Sequence, residues 1–332
     1  MNRHLDLQTD DMLAPSSPMH TPRTLSTLSM RSVRQSAASY GGTGRLDTLT
    51  PMQEVTLERF REDIKREGYF DPSRHDDHYL LRFLRARKFD VDATMQMFLN
   101  CEKWRKSFGV DELVRTFEFP EAEQVARFYP RYYHKTDRMG RPIYIEHLGS
   151  IDLNEMFKIT TEERMIKHFV IGYEQLNSER FPACSAKAGR HIEQCFTILD
   201  LKGISMIQVP TAIGFVRRTS AIAQDYYPEM MGKMYVVNAP FLFSSIWSMV
   251  KPFLDEVTVN KIHILGSRFQ SALLRDVDPE NLPSFFGGKC SCSNQGGCRV
   301  SDAGPWQNPQ FKRKTTEDSE KKANGDIESE KV

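Results

Sequence analysis

The chain has 332 residues, with 45 Lys or Arg against 44 Asp or Glu and a formal net charge of +1. That balance excludes nucleic acid as a bulk electrostatic partner, so any basic site has to be local. The length suits one large domain with accessories or two modest ones, and 27% charged residues are ordinary for a water-soluble chain.

The longest apolar run, Asn238–Val250 with its serines, falls far short of the ~20 residues that cross a bilayer. Asp6, Asp10 and Asp11 lie where a basic-then-apolar leader would sit. The expectation is a cytoplasmic protein that touches membranes only peripherally. Six cysteines in a chain this long do not suggest a disulfide framework. Cys101, Cys184 and Cys195 lie in or beside apolar segments and read as reduced and partly buried. Cys290, Cys292 and Cys298 cluster in a Ser/Gly/Asn loop. A structural zinc takes four ligands, and no further Cys or His lies close by in the sequence. No metal site is expected, and the cluster reads as labile surface thiols.

Taken in chain order, residues 1–48 are rich in Ser, Thr, Met and Arg without lasting period and read as a disordered arm. Thr50-Pro51-Met52-Gln53 combines a capping threonine, a proline at the first helical position and a glutamine three residues on, a helix start. The pattern predicts helices from there to about Gly68, from Asp76 to Lys88, and from Asp90, as cap, to Phe108, where Gly109 stops it. Residues 50–120 are therefore expected to form a small helical cap. From Tyr132 the pattern turns to α/β, and a second domain is expected over 125–310. Strands are predicted at Pro142–His147, Cys195–Leu201, Met234–Asn238 and Lys261–Leu265, with helices at Thr161–Glu179, Pro210–Tyr226 and Phe241–Lys251. Alternation of this kind predicts a largely parallel sheet with crossover helices. Residues 311–332 carry charges of both signs with almost no large apolar residue and read as a solvated tail.

The predicted helix after Asn238 is unusually apolar. Leu242, Ile246, Met249, Val250 and Phe253 make one stripe on a helical wheel, and Phe243, Trp247 and Leu254 a second beside it. The two span roughly 160°, wider than the roughly 100° a surface helix needs to dock on a sheet. One stripe packs on the protein; the other calls for a lipid, a membrane or another protein, unless the helix is buried on most of its surface. Thr258 and Lys261 follow it, offering a hydroxyl and a cation beside an apolar element, which suits an amphiphile with a polar head.

Tests for an enzyme return little. There is no Gly-x-Gly-x-x-Gly, P-loop, Gly-x-Ser-x-Gly elbow or His-Glu-x-x-His. Cys184 and Arg190 have the Cys-x5-Arg spacing of cysteine phosphatases, but Pro182 precedes the cysteine and no histidine leads it. Glu229 has no visible acid–base partner. Arg82, Arg85, Arg87 and Lys88 read either as a solvated face or as an anion site for one phosphate.

Six stretches are specific enough to carry a resemblance: LLRFLRARKFDVDAT, FYPRYYHKTDRMGRPIYIEHLG, TILDLKGIS, QDYYPEMMGKMYVVNAP, VKPFLDEVTVNKIHILG and ENLPSFFGGK. In this order and spacing, over about residues 50–310, the chain resembles the CRAL-TRIO lipid-binding family, and within it the yeast-type cytosolic phosphatidylinositol/phosphatidylcholine transfer proteins. The resemblance implies an α/β fold: a CRAL-TRIO lipid-binding sheet with crossover helices, preceded by a small N-terminal helical cap. It implies a pocket for one phospholipid, with Phe243, Ile246, Trp247, Val250, Phe253 and Leu254 on a gate helix. It implies a phosphatidylinositol head-group site of Arg87, Lys88, Glu229, Thr258 and Lys261. The phosphatidylcholine pattern matches at Tyr133, Tyr144 and Tyr227, but Cys195 and Ala223 stand where the family pattern has serines, which predicts weaker phosphatidylcholine binding or a more apolar second ligand. The implied function is non-enzymatic lipid exchange and presentation to a phosphoinositide kinase at Golgi or endosomal membranes, by a monomer with no cofactor beyond its lipid. A hydrophobic-ligand sensor or scaffold without net transfer is the alternative.

Overall fold

The computed structural model describes residues 42–204, 209–241, 243–254 and 256–312. The expected arm and tail lie mostly outside the described residues, as does Leu242 of the apolar stripe. Where they overlap, the structure moves both boundaries. Leu46–Thr48 forms a short 3-10 turn, Arg45 pairs with Glu193, and Phe311 packs against the main core.

Three helices build the cap, each started by the chemistry that predicts it. Gln53 N donates to Thr50 Oγ1 at 3.3 Å and Thr50 N donates to Gln53 Oε1 at 3.0 Å, closing a capping box on helix Pro51–Arg66. Asp76 and Asp90 accept from the first-turn amides of Tyr79 and Ala93 at 2.8 and 3.0 Å, opening helices Asp77–Ala86 and Val91–Phe108. Gly109, at φ 72°, ends the third in the left-handed conformation that glycine adopts without strain. Phe60, Phe83 and Phe98 meet edge to face among Leu57, Ile64 and Leu80. Full burial of each such side chain contributes roughly 1.5–3 kcal/mol.

Two short helices, Val110–Thr116 and Ala122–Phe128, lead into a five-stranded sheet. Its strands are β1 (Arg131–Thr136), β2 (Pro142–Glu146), β3 (Cys195–Asp200), β4 (Met231–Val237) and β5 (Ile262–Ile264), in the spatial order β1-β2-β3-β4-β5. β1 and β2 run antiparallel and the remaining pairs are parallel. Parallel neighbours need crossovers. Helices Glu162–Gln175, Val209–Tyr226 and Phe243–Val250 lie in the three connections. The first widens into a π turn at Leu176–Arg180 and continues as helix Phe181–Ala188.

Side chains alternate across a sheet, so register decides what each face carries. Ile143, Ile145, Phe196, Ile198, Tyr235 and Val237 pack on one face against Phe269, Leu273 and Phe286. The other face presents two rungs. Tyr133, Tyr144, Thr197, Met234 and Ile262 stand opposite one another in successive strands, as do Glu146, Leu199 and Val236 beside Arg131. All nine line one cavity.

Candidate functional site

The cavity over this second face measures about 910 Å³, near the top of the roughly 300–1,000 Å³ typical of ligand pockets. Its floor is the sheet. Helix Glu162–Gln175, helix Val209–Tyr226 and helix Phe243–Val250 form its walls, and Arg87 and Lys88 reach it from the cap.

Helix Phe243–Val250 turns Phe243, Ile246, Trp247 and Val250 into the cavity, and Leu254 follows them just beyond its end. Members of both expected stripes, Ile246 and Val250 of the first and Phe243, Trp247 and Leu254 of the second, thus share one inward face, which Met249 does not join. Ser244, Ser245, Ser248 and Met249 lie exposed outside, and the preceding Phe241 is 98% exposed. Among the described residues, the outer side of this helix is exposed, and its apolar face is itself the cavity wall. Phe253 departs from the expectation. It does not line the cavity; its ring receives the Arg217 guanidinium at 5.1 Å and its carbonyl accepts from Gln224 Nε2 at 2.7 Å.

All five residues expected at the head-group site line the cavity: Arg87, Lys88, Glu229, Thr258 and Lys261. Local backbone positions them. Arg87 closes the second cap helix, and Lys88 follows it at φ 53°. Glu229 sits after Pro228 at φ 61°, a conformation costly for a residue with a Cβ and concentrated at functional sites. Gln194 Nε2 holds its backbone carbonyl at 3.1 Å. Lys261 N donates to Thr258 O at 3.1 Å in the turn ahead of β5, and both residues line the cavity. Lys261 Nζ lies 3.2 Å from Glu229 Oε2. Asp225 adds a second carboxyl to this end, pushed up by burial and drawn back by the charge of Arg87.

The five residues expected at the second-lipid site also line the cavity: Tyr133, Tyr144, Cys195, Ala223 and Tyr227. The Tyr133 and Tyr144 rings lie 5.1 Å apart, and Tyr227 stacks on Tyr173 at 4.7 Å. Tyr227 Oη donates to Glu174 Oε1 at 2.6 Å. Burial pushes the Cys195 thiol well above its ordinary range, so it stays protonated. The Arg180 guanidinium stands 4.5 Å over the Tyr133 ring.

Sequence reasoning missed a polar group on the cavity floor. Arg131 covers the Phe169 ring at 3.6 Å, while Tyr129 donates a short hydrogen bond to Glu146. Burial pushes the Glu146 carboxyl up, opposed by that hydrogen bond and by the charge of Arg131. His168, also lining the cavity, is pushed down to about 3 by burial and by Arg131. Only the pairing of β1 with β2 puts Arg131 and Glu146 opposite each other on the tyrosine-bearing face, and β1 has no apolar period to announce it.

Two other expectations change, those for the basic cluster and for the 290–298 cysteines, while Cys184 is buried as expected. Arg82 is buried and donates to Asn177 Oδ1 at 2.8 Å, and Arg85 donates to Glu193 Oε1 at 2.7 Å, so neither belongs to a solvated face. Cys184 lies inside helix Phe181–Ala188 with its thiol pushed up to about 12 by burial, the reverse of the low-pKa thiolate that nucleophilic catalysis requires. The cysteines of the 290–298 loop are not all surface thiols. Cys290 and Cys298 are 7% and 4% exposed, and His134 of β1 stands beside all three. The histidine absent from the neighbouring sequence is brought beside the cysteines by folding, from a distant strand.

A sheet face that floors an apolar cavity with one charged end defines a binding domain that encloses a single guest. The chain belongs to the CRAL/TRIO family: residues 127–288 match the CRAL/TRIO domain and residues 50–100 the CRAL/TRIO N-terminal domain. It is 52% identical over 266 residues to the Sec14 cytosolic factor of Schizosaccharomyces pombe, covering 80% of this chain and 92% of that one. It is 46% identical over 242 residues to the phosphatidylinositol/phosphatidylcholine transfer protein SFH9 of Arabidopsis thaliana, covering 72% of this chain and 42% of that protein. The crystal structure of Sfh5 superposes with a TM-score of 0.57 at 17% identity, covering 83% of this chain and 97% of that chain, which supports the fold.

Proposed function

We propose that this chain takes up one phosphatidylinositol molecule at a time and exchanges it between membranes, presenting it for phosphorylation. The observation that carries this reading is that Arg87, Lys88, Glu229, Thr258 and Lys261 all line one otherwise largely apolar cavity, with Lys261 and Glu229 paired there. Cations suit the phosphodiester, and carboxylate, hydroxyl and amine suit inositol hydroxyls. The acyl chains lie along Leu199, Met234 and Val236 and under Phe243 and Trp247. Removing a methylene from water contributes about 0.8 kcal/mol, so release into water is slow and opening is coupled to membrane contact. The exposed Phe241, just ahead of the wall helix, and Met249, on its outer side, suit that contact. No helix among the described residues is long and apolar enough to cross a membrane, consistent with transient docking from the cytoplasm.

The names of the relatives support the same cargo, and the Golgi or endosomal surface is the proposed place of exchange, with a phosphoinositide kinase as the proposed recipient. The protein acts as a monomer, without catalysis and without a catalytic cofactor. Phosphatidylcholine is the weaker second ligand. Cys195 and Ala223 replace hydroxyl donors, and Arg180 already covers the face of Tyr133 that a quaternary ammonium would use.

Transfer between donor and acceptor vesicles, run separately with labelled phosphatidylinositol and phosphatidylcholine, tests the reading. Faster phosphatidylinositol transfer is expected. Stable binding of either lipid without transfer would replace this reading with that of a sensor or scaffold, and equal transfer of both would remove the selectivity claim.

A further inference from the structure

The strand β1 carries a bulge: Tyr133 faces Tyr144 and Thr136 faces Pro142, so His134 and Lys135 together oppose Ile143 alone. Lys135 there adopts φ 49°. Bulges re-aim side chains. While Tyr133 lines the cavity, His134 lies buried outside it, 0% exposed, and among the described residues neither ring nitrogen has a hydrogen-bond partner. Burying an imidazole without partners is costly, and such a group calls for an explanation.

The explanation lies in the segment packed against it, Cys290-Ser-Cys-Ser-Asn-Gln-Gly-Gly-Cys298. This loop is tightly folded: Gln295 N and Gly297 N both donate to Cys292 O, at 2.9 and 3.0 Å, and Cys298 Sγ lies 3.4 Å from Cys290 O. The sulfurs of Cys290 and Cys292 are 3.5 Å apart, and all donor atoms of the three cysteines and His134 fall within 4.8 Å of one another. A tetrahedral zinc with Zn–S of about 2.3 Å and Zn–N of about 2.0–2.1 Å has donor–donor edges of about 3.5–3.8 Å.

We propose that His134, Cys290, Cys292 and Cys298 form a structural Cys3His zinc site. Soft thiolates with one imidazole favour zinc over hard cations, and four protein ligands with little solvent access make the closed kind of site that is structural. Zinc displaces the thiol protons to solvent as the thiolates bind. Three thiolates and Zn²⁺ leave one negative charge. Lys135, hydrogen-bonded to the Glu280 carbonyl at 2.7 Å, lies against Cys290 to offset it. The metal would staple the C-terminal segment to the edge strand of the sheet. That segment continues to Asp302, which pairs with Arg180 at 3.5 Å beside the cavity, and to Trp306, which meets the Tyr133 ring edge-on. The site is independent of the lipid: it stands on the opposite side of β1 from the cavity floor.

The test is elemental analysis by mass spectrometry of the full chain purified without a polyhistidine tag, followed by reconstitution of the chelator-treated protein with Co²⁺. About one zinc per chain is expected, and Co²⁺ should give the intense visible bands of tetrahedral coordination with thiolate charge transfer in the near ultraviolet. His134 is buried, so two variants are used: His134→Gln and Cys292→Ser, the latter at the half-exposed ligand. Each should lower zinc affinity on the order of 100-fold or more, since even outer-shell changes cost 10–100-fold. Metal-free wild type that stays spectrally silent with Co²⁺, iron in place of zinc, a disulfide within the cluster as isolated, or unchanged zinc affinity in a folded Cys292→Ser would each overturn the proposal.

Discussion

Lys261 Nζ reaches both carboxylate oxygens of Glu229, at 3.2 and 3.3 Å, across the charged end of the cavity. The two residues arrive by different routes, Glu229 from a left-handed turn ahead of β4 and Lys261 from the end of helix Glu256–Asn260. Their pairing holds a donor and an acceptor at fixed spacing, which is what a ring of hydroxyls next to a phosphate requires. A lone cation would attract any anionic head group; on the proposed reading, the pair would favour one that also offers hydroxyls.

The wall helix should be separable from folding. Its apolar side faces the cavity and its outer side carries serines, so replacing Phe243 and Trp247 together by serine strips the cavity wall and its packing on Leu201 and Val236 while leaving the main sheet core and the cap intact. Vesicle-to-vesicle transfer should fall on the order of tenfold or more, given roughly 1.5–3 kcal/mol for burying each such side chain. Circular dichroism should show a retained fold. Normal transfer by the folded double variant would show that this helix does not govern exchange.

Restoring hydroxyls should restore the second lipid. Cys195→Ser and Ala223→Ser each add a hydrogen-bonding group to the aromatic end of the cavity, at about 0.5–1.5 kcal/mol per bond. The phosphatidylcholine-to-phosphatidylinositol ratio extracted after incubation with mixed vesicles should rise roughly two- to tenfold for each change. An unchanged ratio in the double variant would place the selectivity elsewhere, with Arg180 over Tyr133 the next residue to change.

The clamp between the cap and the lipid-binding domain predicts an acid-sensitive stability. Burial by itself would raise the Glu193 carboxyl, but the neighbouring His191, 3.5 Å away, and the charges of Arg85, Arg45 and Arg82 outweigh it and lower it from 4.5 to about 2. A carboxyl depressed in the folded state stabilises the fold above its unfolded pKa, and that contribution is lost as pH falls from about 4.5 towards 2. Denaturant melts of Glu193→Gln should show a loss of about 2–4 kcal/mol at pH 7, narrowing steadily below pH 4.5. A gap independent of pH would mean that the carboxylate charge is not the stabilising feature.

Much of this architecture is legible in the chain, and the reasons for the exceptions are physical. Thr50, Asp76, Asp90 and Gly109 announce the cap helices because helix ends are local chemistry. The strands β2 to β5 show as short apolar runs because they are covered by helices or cavity. β1 escaped because Arg131-Tyr132-Tyr133-His134 has no apolar period; it faces polar partners on both sides, the buried Glu146 and the cysteine loop. His134 as a ligand was invisible for the same reason that Arg131 was: proximity to Cys290 is a property of the sheet and its bulge. That Arg87, Lys88, Glu229, Thr258, Lys261 and the three tyrosines line the cavity was legible through the family's motifs, whereas the exclusion of Phe253 depends on where the helix ends and the 3-10 turn Lys251–Phe253 begins.

The most direct test is native mass spectrometry with lipid extraction on the full chain, wild type beside Lys261→Ala, after incubation with vesicles containing both phospholipids. The wild type should carry one phosphatidylinositol per chain. Lys261→Ala should lose it by roughly tenfold or more, since a hydrogen bond to a charged group contributes about 1.5–3 kcal/mol, while keeping its fold and whatever phosphatidylcholine it binds. Phosphatidylinositol loading that is absent from the wild type, or equal in the two proteins, would contradict the head-group assignment on which the account rests.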